Sequence, residues 1–281
     1  MQTLRIGQNL NRTFVDNSIE CDAASRKALR TQSKDRFVVD PPLKTSHYLF
    51  LQGQIGRFFS ELGSSLHQRG HVVRRINFNN GDGLFWQLPD AVDFTGRAEA
   101  WPGFLAERLN AWGITDLMLF GDCRPLHKVA IELARARGIQ VHVFEEGYLR
   151  PEFVTMEEGG VNGNSLLPRD AESYLTAASF LPDWSPGISI PASFKRRATE
   201  DVLYNFSSII GRWRFPHYRS HRPWHPFVEY AVGARRLPLK VFTRQKTQQQ
   251  IQALVSGARP YFLFPLQLDA DSQIRFHAPA G

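Results

Sequence analysis

The chain has 281 residues, of which 42% are apolar, 22% are charged and two are cysteine. A chain of this length buries one large core or two moderate ones, at roughly 100–200 residues per domain, which excludes a disulfide-stapled miniprotein and a wholly disordered protein. The net charge of +7 is local, because residues 191–246 hold twelve Lys or Arg against three acids and the remainder is slightly acidic.

No apolar run approaches the roughly 18 residues that a membrane-spanning helix requires, so a soluble or peripheral protein is expected. Cys21 and Cys123 form no CxxC pair, and the N-terminus lacks the apolar stretch of a secretion signal. Both point to the cytoplasm and to no metal site.

Residues 1–45 are polar and aperiodic and read as a flexible leader. HYLFLQG (47–53) has the composition of a buried strand and runs into the glycine turn QGQIGR. FFSELGSSLHQRG (58–70) places Phe58, Phe59, Leu62 and Leu66 at helical spacing and stops at Gly70. HVVRRINF (71–78) is a second strand, and NNGDG (79–83) a loop. A helix over 100–113, a strand over 115–121, a helix over about 127–137 and a strand over 139–146 follow, each helix closed by glycine.

This alternation predicts an α/β fold with a Rossmann-like parallel sheet and flanking helices, occupying 46–170. The segment 154–170 is glycine-rich and reads as a site loop or hinge. Residues 171–257 turn helical and basic, and ARPYFLFPLQL (258–268) restores strand character, as the start of a further α/β unit ending at 281.

Ligands bind such sheets beyond the carboxyl ends of the strands. There stand QGQIGR, NNGDG, GDCRPLH (121–127) and EEGYLRPE (145–152). Glu145 and Glu146 end a strand, where alternation turns one toward a cleft, and either can serve as nucleophile or general base; a solvated strand end is the alternative. Asp122, Arg124 and His127 form a second polar group, with Asp122 read equally as a helix cap before Pro125. QGQIGR lacks dinucleotide and Walker spacing and is best explained as a tight turn. The segment 194–227 interleaves arginine with aromatic and histidine residues, as an anion-binding surface does; a solvated helix face is the alternative. No hydrolase elbow, zinc-protease or kinase motif is present.

Taken in order, FLQGQIGRFFSELGSSLHQRGH, VRRINFNNGD, LFGDCRP, VFEEGYLRPEFVTMEEGGVNGNS and FPLQLDADSQIRFH resemble blocks of the bacterial capsule polysaccharide biosynthesis and export family, in particular its KpsS-type members, over about residues 47–277. The resemblance implies a GT-B-like glycosyltransferase of two Rossmann-like halves, the second incomplete here. It further implies β-Kdo transfer, with retention, from CMP-Kdo to a phosphatidylglycerol-type lipid at the inner face of the cytoplasmic membrane. No cofactor beyond the donor substrate is implied, and nucleic acid is not an expected partner.

In related KpsC-type transferases the nucleophile resembles the Asp of an E-D-G-[FY] block, which falls here on Glu146, with Glu145 before it. By the same resemblance, Asp122 is the candidate for acceptor general base or for positioning, supported by Arg124, and Arg150 pairs with the donor carboxylate. Gln52, Gly53, Asn79, Asp82, Asn162 and Ser165 line the sugar or acceptor side, and Gln267, Asp271 and Ser272 open the second half. The anionic donor and lipid give the basic segment a role at the membrane. The competing reading is a non-catalytic capsule assembly or export component that holds lipid-linked glycan beside other capsule proteins.

Overall fold

A computed structural model of the chain describes residues 2–5, 44–147, 153–181, 193–222, 224–257 and the single positions 262, 264 and 277. Seven strands form one sheet: β1 (Gln2–Arg5), β2 (His47–Phe50), β3 (Val72–Asn77), β4 (Ala91–Asp93), β5 (Asp116–Phe120), β6 (Gln140–Glu146) and β7 (Phe153–Glu158). Their order is β1-β7-β6-β5-β2-β3-β4. Strands β4, β3, β2, β5 and β6 are parallel, and read by succession they take the 3-2-1-4-5 order of doubly wound nucleotide-binding sheets.

The expected parallel sheet is corrected to a mixed one, because β7 runs antiparallel to both β6 and β1. The stretch from 154, expected to be irregular, therefore begins as the second half of a β6–β7 hairpin. The first residues of the expected leader supply the edge strand β1; its residues 6–43 lie outside the described residues, as does most of the strand expected over 258–268.

Helices α1 (Phe58–Gln68), α2 (Asn80–Leu84), α3 (Trp101–Ala111) and α4 (Pro125–Arg135) connect the parallel strands. The five-residue α2 replaces the loop expected at 79–83, since the Asn79 side chain accepts from the Asp82 amide at 3.0 Å and caps a helical turn. On one sheet face Leu49, Leu51, Leu117, Leu119, Val141 and Val143 pack under α3 and α4. On the other, Phe50, Met118, Phe120 and Phe144 pack with Phe59 and Leu66 of α1. Strands covered on both faces read as continuous apolar runs, which is why β5 was plain in the sequence.

Trp101 is fully buried, and its indole N–H donates to the Leu126 carbonyl at 2.9 Å, so α3 and α4 are joined as well as packed. Truncating so large a buried side chain to alanine costs about 3–5 kcal/mol.

Beyond the sheet come α5 (Ala171–Ala178), α6 (Phe194–Ile210) and α7 (Pro226–Val255). α7 is 30 residues long and passes through Pro238, and none of its residues is buried. His217, His221 and His225 share no helix face: the first two lie in a turn-rich connection, and His225 is the residue before α7. Among the described residues no helix is long and apolar enough to cross a membrane.

Candidate functional site

β2 and β5 are paired neighbours, and the helices that follow them, α1 and α4, cover opposite faces of the sheet, which is where the crevice of a doubly wound sheet opens. Gln52 follows β2 and Arg124 follows β5. Arg124 Nη1 donates to Gln52 Oε1 at 2.9 Å. A guanidinium can only donate, so this bond fixes which end of the Gln52 amide is oxygen. The two amide hydrogens are shared among Tyr204 Oη (2.9 Å), Tyr218 Oη (3.1 Å) and Asp82 Oδ1 (3.2 Å).

Asp82, 2% exposed, accepts from the Phe78 amide at 3.0 Å and from the Tyr204 hydroxyl at 2.9 Å, and Arg75 approaches it at 3.8 Å. Burial lowers the basicity of Arg75 and Arg124 and pushes the Tyr204 hydroxyl well up, with the nearby Asp82 carboxylate also raising Tyr204. Both tyrosines therefore stay neutral hydrogen-bonding groups.

Tyr204 and Ser208 stand four apart on α6 and face the β3–α2 turn together. Asn79 Nδ2 donates to Tyr204 Oη at 2.8 Å, and Ser208 Oγ donates to Asn79 Oδ1 at 2.9 Å. The approach is close enough to demand glycine: a Cβ on Gly81 would stand 2.6 Å from both Ser208 Oγ and the Tyr204 ring, and one on Gly211 only 2.2 Å from Asn80 Cβ. Gly53 is pressed likewise, 2.7 Å from Phe59 by the same measure, so QGQIGR is a tight turn whose Gly53 carbonyl faces Arg124 at 3.4 Å.

Asp122 belongs to a different group. Its Oδ2 accepts from the Val161 amide and from Asn164 Nδ2, both at 3.0 Å, and its Oδ1 from the Cys123 thiol at 3.2 Å. It does not cap α4, whose first flanking residue is Arg124. Asn162 lies in the short helical turn Asn162–Asn164 that Asp122 holds from both sides, and Ser165 donates to Glu157. His277 reaches the same place, 3.4 Å from Cys123 Sγ and against Gly163.

Glu145 and Glu146 point to opposite sheet faces, as strand alternation requires. Glu145 Oε1 accepts from the Glu146 amide at 2.9 Å, and burial raises its carboxyl above the ordinary value, opposed by that amide and by Arg124. Glu146 accepts from Gln54 Nε2 at 3.2 Å and pairs with Arg197 of α6. Arg150, Gln267, Asp271 and Ser272 lie outside the described residues.

Two cavities flank the Gln52–Arg124–Tyr218 contact. One, of about 550 Å³, is lined by Gln52, Gly53, Glu146, Arg197, Tyr204 and Tyr230 among others. The other, of about 720 Å³, lies toward Phe94–Glu99 and Arg212–His221. Gln52, Gly53, Arg124 and Glu146 thus meet at one opening, whereas Asn79 and Asp82 lie behind it and Asp122, Asn162 and Ser165 lie beside it. Tyr204, Tyr218 and Arg197 fall within the segment 194–227 read as an anion-binding surface, but their place beside Gln52 and Glu146 was not foreseen; the polar i, i+4 pair Tyr204 and Ser208 was a further local signal. Among the described residues no cluster of three or more His, Cys, Asp or Glu is placed to hold a metal ion.

The family model for capsule polysaccharide biosynthesis proteins matches residues 115–281, more than half of the chain. The chain belongs to that family. The chain is 35% identical over 239 residues to the Capsule polysaccharide export protein KpsS of Escherichia coli, covering 84% of this chain and 60% of that protein. It is 32% identical over 238 residues to the Capsule polysaccharide modification protein LipB of two Neisseria meningitidis strains, covering 82% of this chain and 56% of theirs. The chain therefore spans somewhat over half the length of these relatives. No solved structure matches this family member.

Proposed function

We propose that the chain is the acceptor-side half of a capsule glycosyltransferase of GT-B-like architecture, with Glu146 as nucleophile. In this reading residues 46–170 form the first Rossmann-like half, 171–257 the bridge, and 258–281 open a nucleotide-binding half. The donor is CMP-Kdo and the acceptor a phosphatidylglycerol-type lipid at the inner membrane face. The observation that carries the reading is that Glu146, and not Glu145, lines the 550 Å³ cavity at the sheet's switch point, beside Arg124 and Arg197.

Retention follows from two displacements. Glu146 attacks the anomeric carbon and CMP leaves on its phosphate oxygen with the bonding pair. The acceptor hydroxyl then gives up its proton to a base and attacks the same carbon, releasing the Glu146 carboxylate. Gln54 and Arg197 hold that carboxylate. Arg150 is the proposed partner of the donor carboxylate.

The test is transfer of labelled Kdo from CMP-Kdo to a phosphatidylglycerol analogue by the purified protein and its Glu146→Gln and Glu145→Gln variants. Turnover lost in Glu146→Gln, with donor binding retained, supports the assignment. Full transfer by Glu146→Gln overturns it, and acceptor binding without turnover in the parent protein favours the assembly component.

A further inference from the structure

The proposed transfer leaves the polar group at the ends of β5 and β7 without a role. Asp122 is buried and holds the Val161 amide and Asn164 Nδ2, both at 3.0 Å. Its other oxygen takes the Cys123 thiol at 3.2 Å. The last member comes from 154 positions further along the chain, where His277 Nε2 stands 3.4 Å from Cys123 Sγ.

The direction of each bond follows from its acceptor. A carboxylate only accepts, so the single thiol proton is committed to Asp122. Burial, and then that bond, push the thiol up to about 12, so the proton stays on sulfur. The sulfur has lone pairs alone to offer the imidazole, and Nε2 must carry the hydrogen. His277 therefore donates to Cys123, Cys123 donates to Asp122, and Asp122 closes on the turn Asn162–Asn164.

Shape marks the same seat independently. A Cβ on Gly163 would stand 2.5 Å from Cγ and Nδ1 of His277 and 2.8 Å from its Cδ2, so the three nearest atoms all belong to that ring. Gly163 lies outside the left-handed region. The approach of the ring, and not the backbone conformation, is what asks for glycine there.

We infer that His277 is a fastening point, which ties the sequence block that also contains Gln267, Asp271 and Ser272 to the strand ends of the first half by donating to Cys123 Sγ and lying over Gly163. Its functional consequence rests on the transfer reading, in which that block opens the nucleotide-binding half. A donor half free to shift is competent for only a fraction of the time, and apparent affinity falls by that fraction. His277 does not line the 550 Å³ cavity itself, so it is a positioning residue that acts through the block it holds.

The experiment uses the full chain in a Cys21→Ser background and a disulfide reagent at mildly alkaline pH. His277→Ala should speed modification of Cys123 roughly tenfold, as expected when local opening has one hydrogen bond fewer to break. Gly163→Ala, which keeps the imidazole but fills its seat, should do the same, and His277→Gln, whose Nε2 can still donate, should restore most of the protection. Because His277 is exposed, its replacement leaves both cores untouched. Gly163→Ala should lower the thermal midpoint of the parent and not that of His277→Ala, since the methyl group then meets no ring. Reactivity unchanged by both variants, or an equal Gly163→Ala effect in the two backgrounds, overturns the fastening. In transfer assays His277→Ala should raise the donor KM roughly tenfold with the acceptor KM unchanged. A fall in kcat at constant donor KM is what loss of folded protein alone would give, and it overturns the positioning role. A parent chain without turnover sinks the transfer reading, and the fastening is then decided by the thiol and melting results.

Discussion

Arg124 and Gln52 meet at 2.9 Å just beyond the adjacent ends of β2 and β5, so this hydrogen bond helps tie the loops after the two central strands. Gln52→Leu keeps much of the side-chain volume but leaves the Arg124 guanidinium and the Tyr218 and Tyr204 hydroxyls short of a partner. It should destabilise the fold by about 1–3 kcal/mol, read as a lower midpoint in urea unfolding. An unchanged midpoint would mean that water replaces the amide.

The seat of α6 on the β3–α2 turn has no room for a methyl group. Gly81→Ala should cost about 1–3 kcal/mol through overpacking against Tyr204 and Ser208. Gly103→Ala is the control, because a Cβ there meets nothing within 4 Å and α3 gains helix propensity. Thermal melts of the two variants should move in opposite directions.

Glu145 titrates above its ordinary value of 4.5 because it is buried. A carboxyl raised in the folded state contributes stability that is fully present below the unfolded value and is lost as pH rises through the folded one. Glu145→Gln, neutral at every pH, should therefore lack that loss. The difference in unfolding free energy between variant and parent should shift in the variant's favour as pH is raised from 4.5 toward neutrality. A flat difference over that window would show that Glu145 titrates alike in the folded and unfolded chain.

The Cys123 thiol is 5% exposed, and burial, together with its bond to Asp122, pushes it up to about 12. Thiolate is the reactive form. In a Cys21→Ser background, Cys123 should resist a disulfide reagent at mildly alkaline pH in the folded protein and react promptly in denaturant. Equal rates would place the thiol at the surface.

The parts of the fold legible in the sequence were those whose signal is local. β2 and β5 are largely apolar runs, β3 and β6 mix valine with polar residues between glycine- or asparagine-bearing turns, and α1 and α4 are closed by glycine. β4 has three residues, too few for any period, and β7 hid because FVTMEE sits between glycine-bearing stretches that read as loop. Its antiparallel direction depends on the 147–152 connection, which no pattern encodes. For the candidate site, the rule that ligands bind beyond strand ends marked the loops that carry Gln52, Gly53, Arg124 and Glu146. Tyr204 was not so marked, since its bond to Asp82 spans 122 positions of chain and is a product of packing. Asp122 was legible as an important carboxylate, but its commitment to Val161 and Asn164 needed the fold.

The hydrogen bonds that fasten Tyr204 and Ser208 to Asn79 and Asp82 also bear on how tightly anything can be held between α6 and the sheet. A pocket wall supplied by a loose segment must be immobilised by each incoming molecule, at about 0.5–1.5 kcal/mol for every side chain stilled. Here folding has already immobilised the helix, so an arriving ligand meets a preset surface, and association should be limited by diffusion and desolvation instead of by rearrangement of the protein.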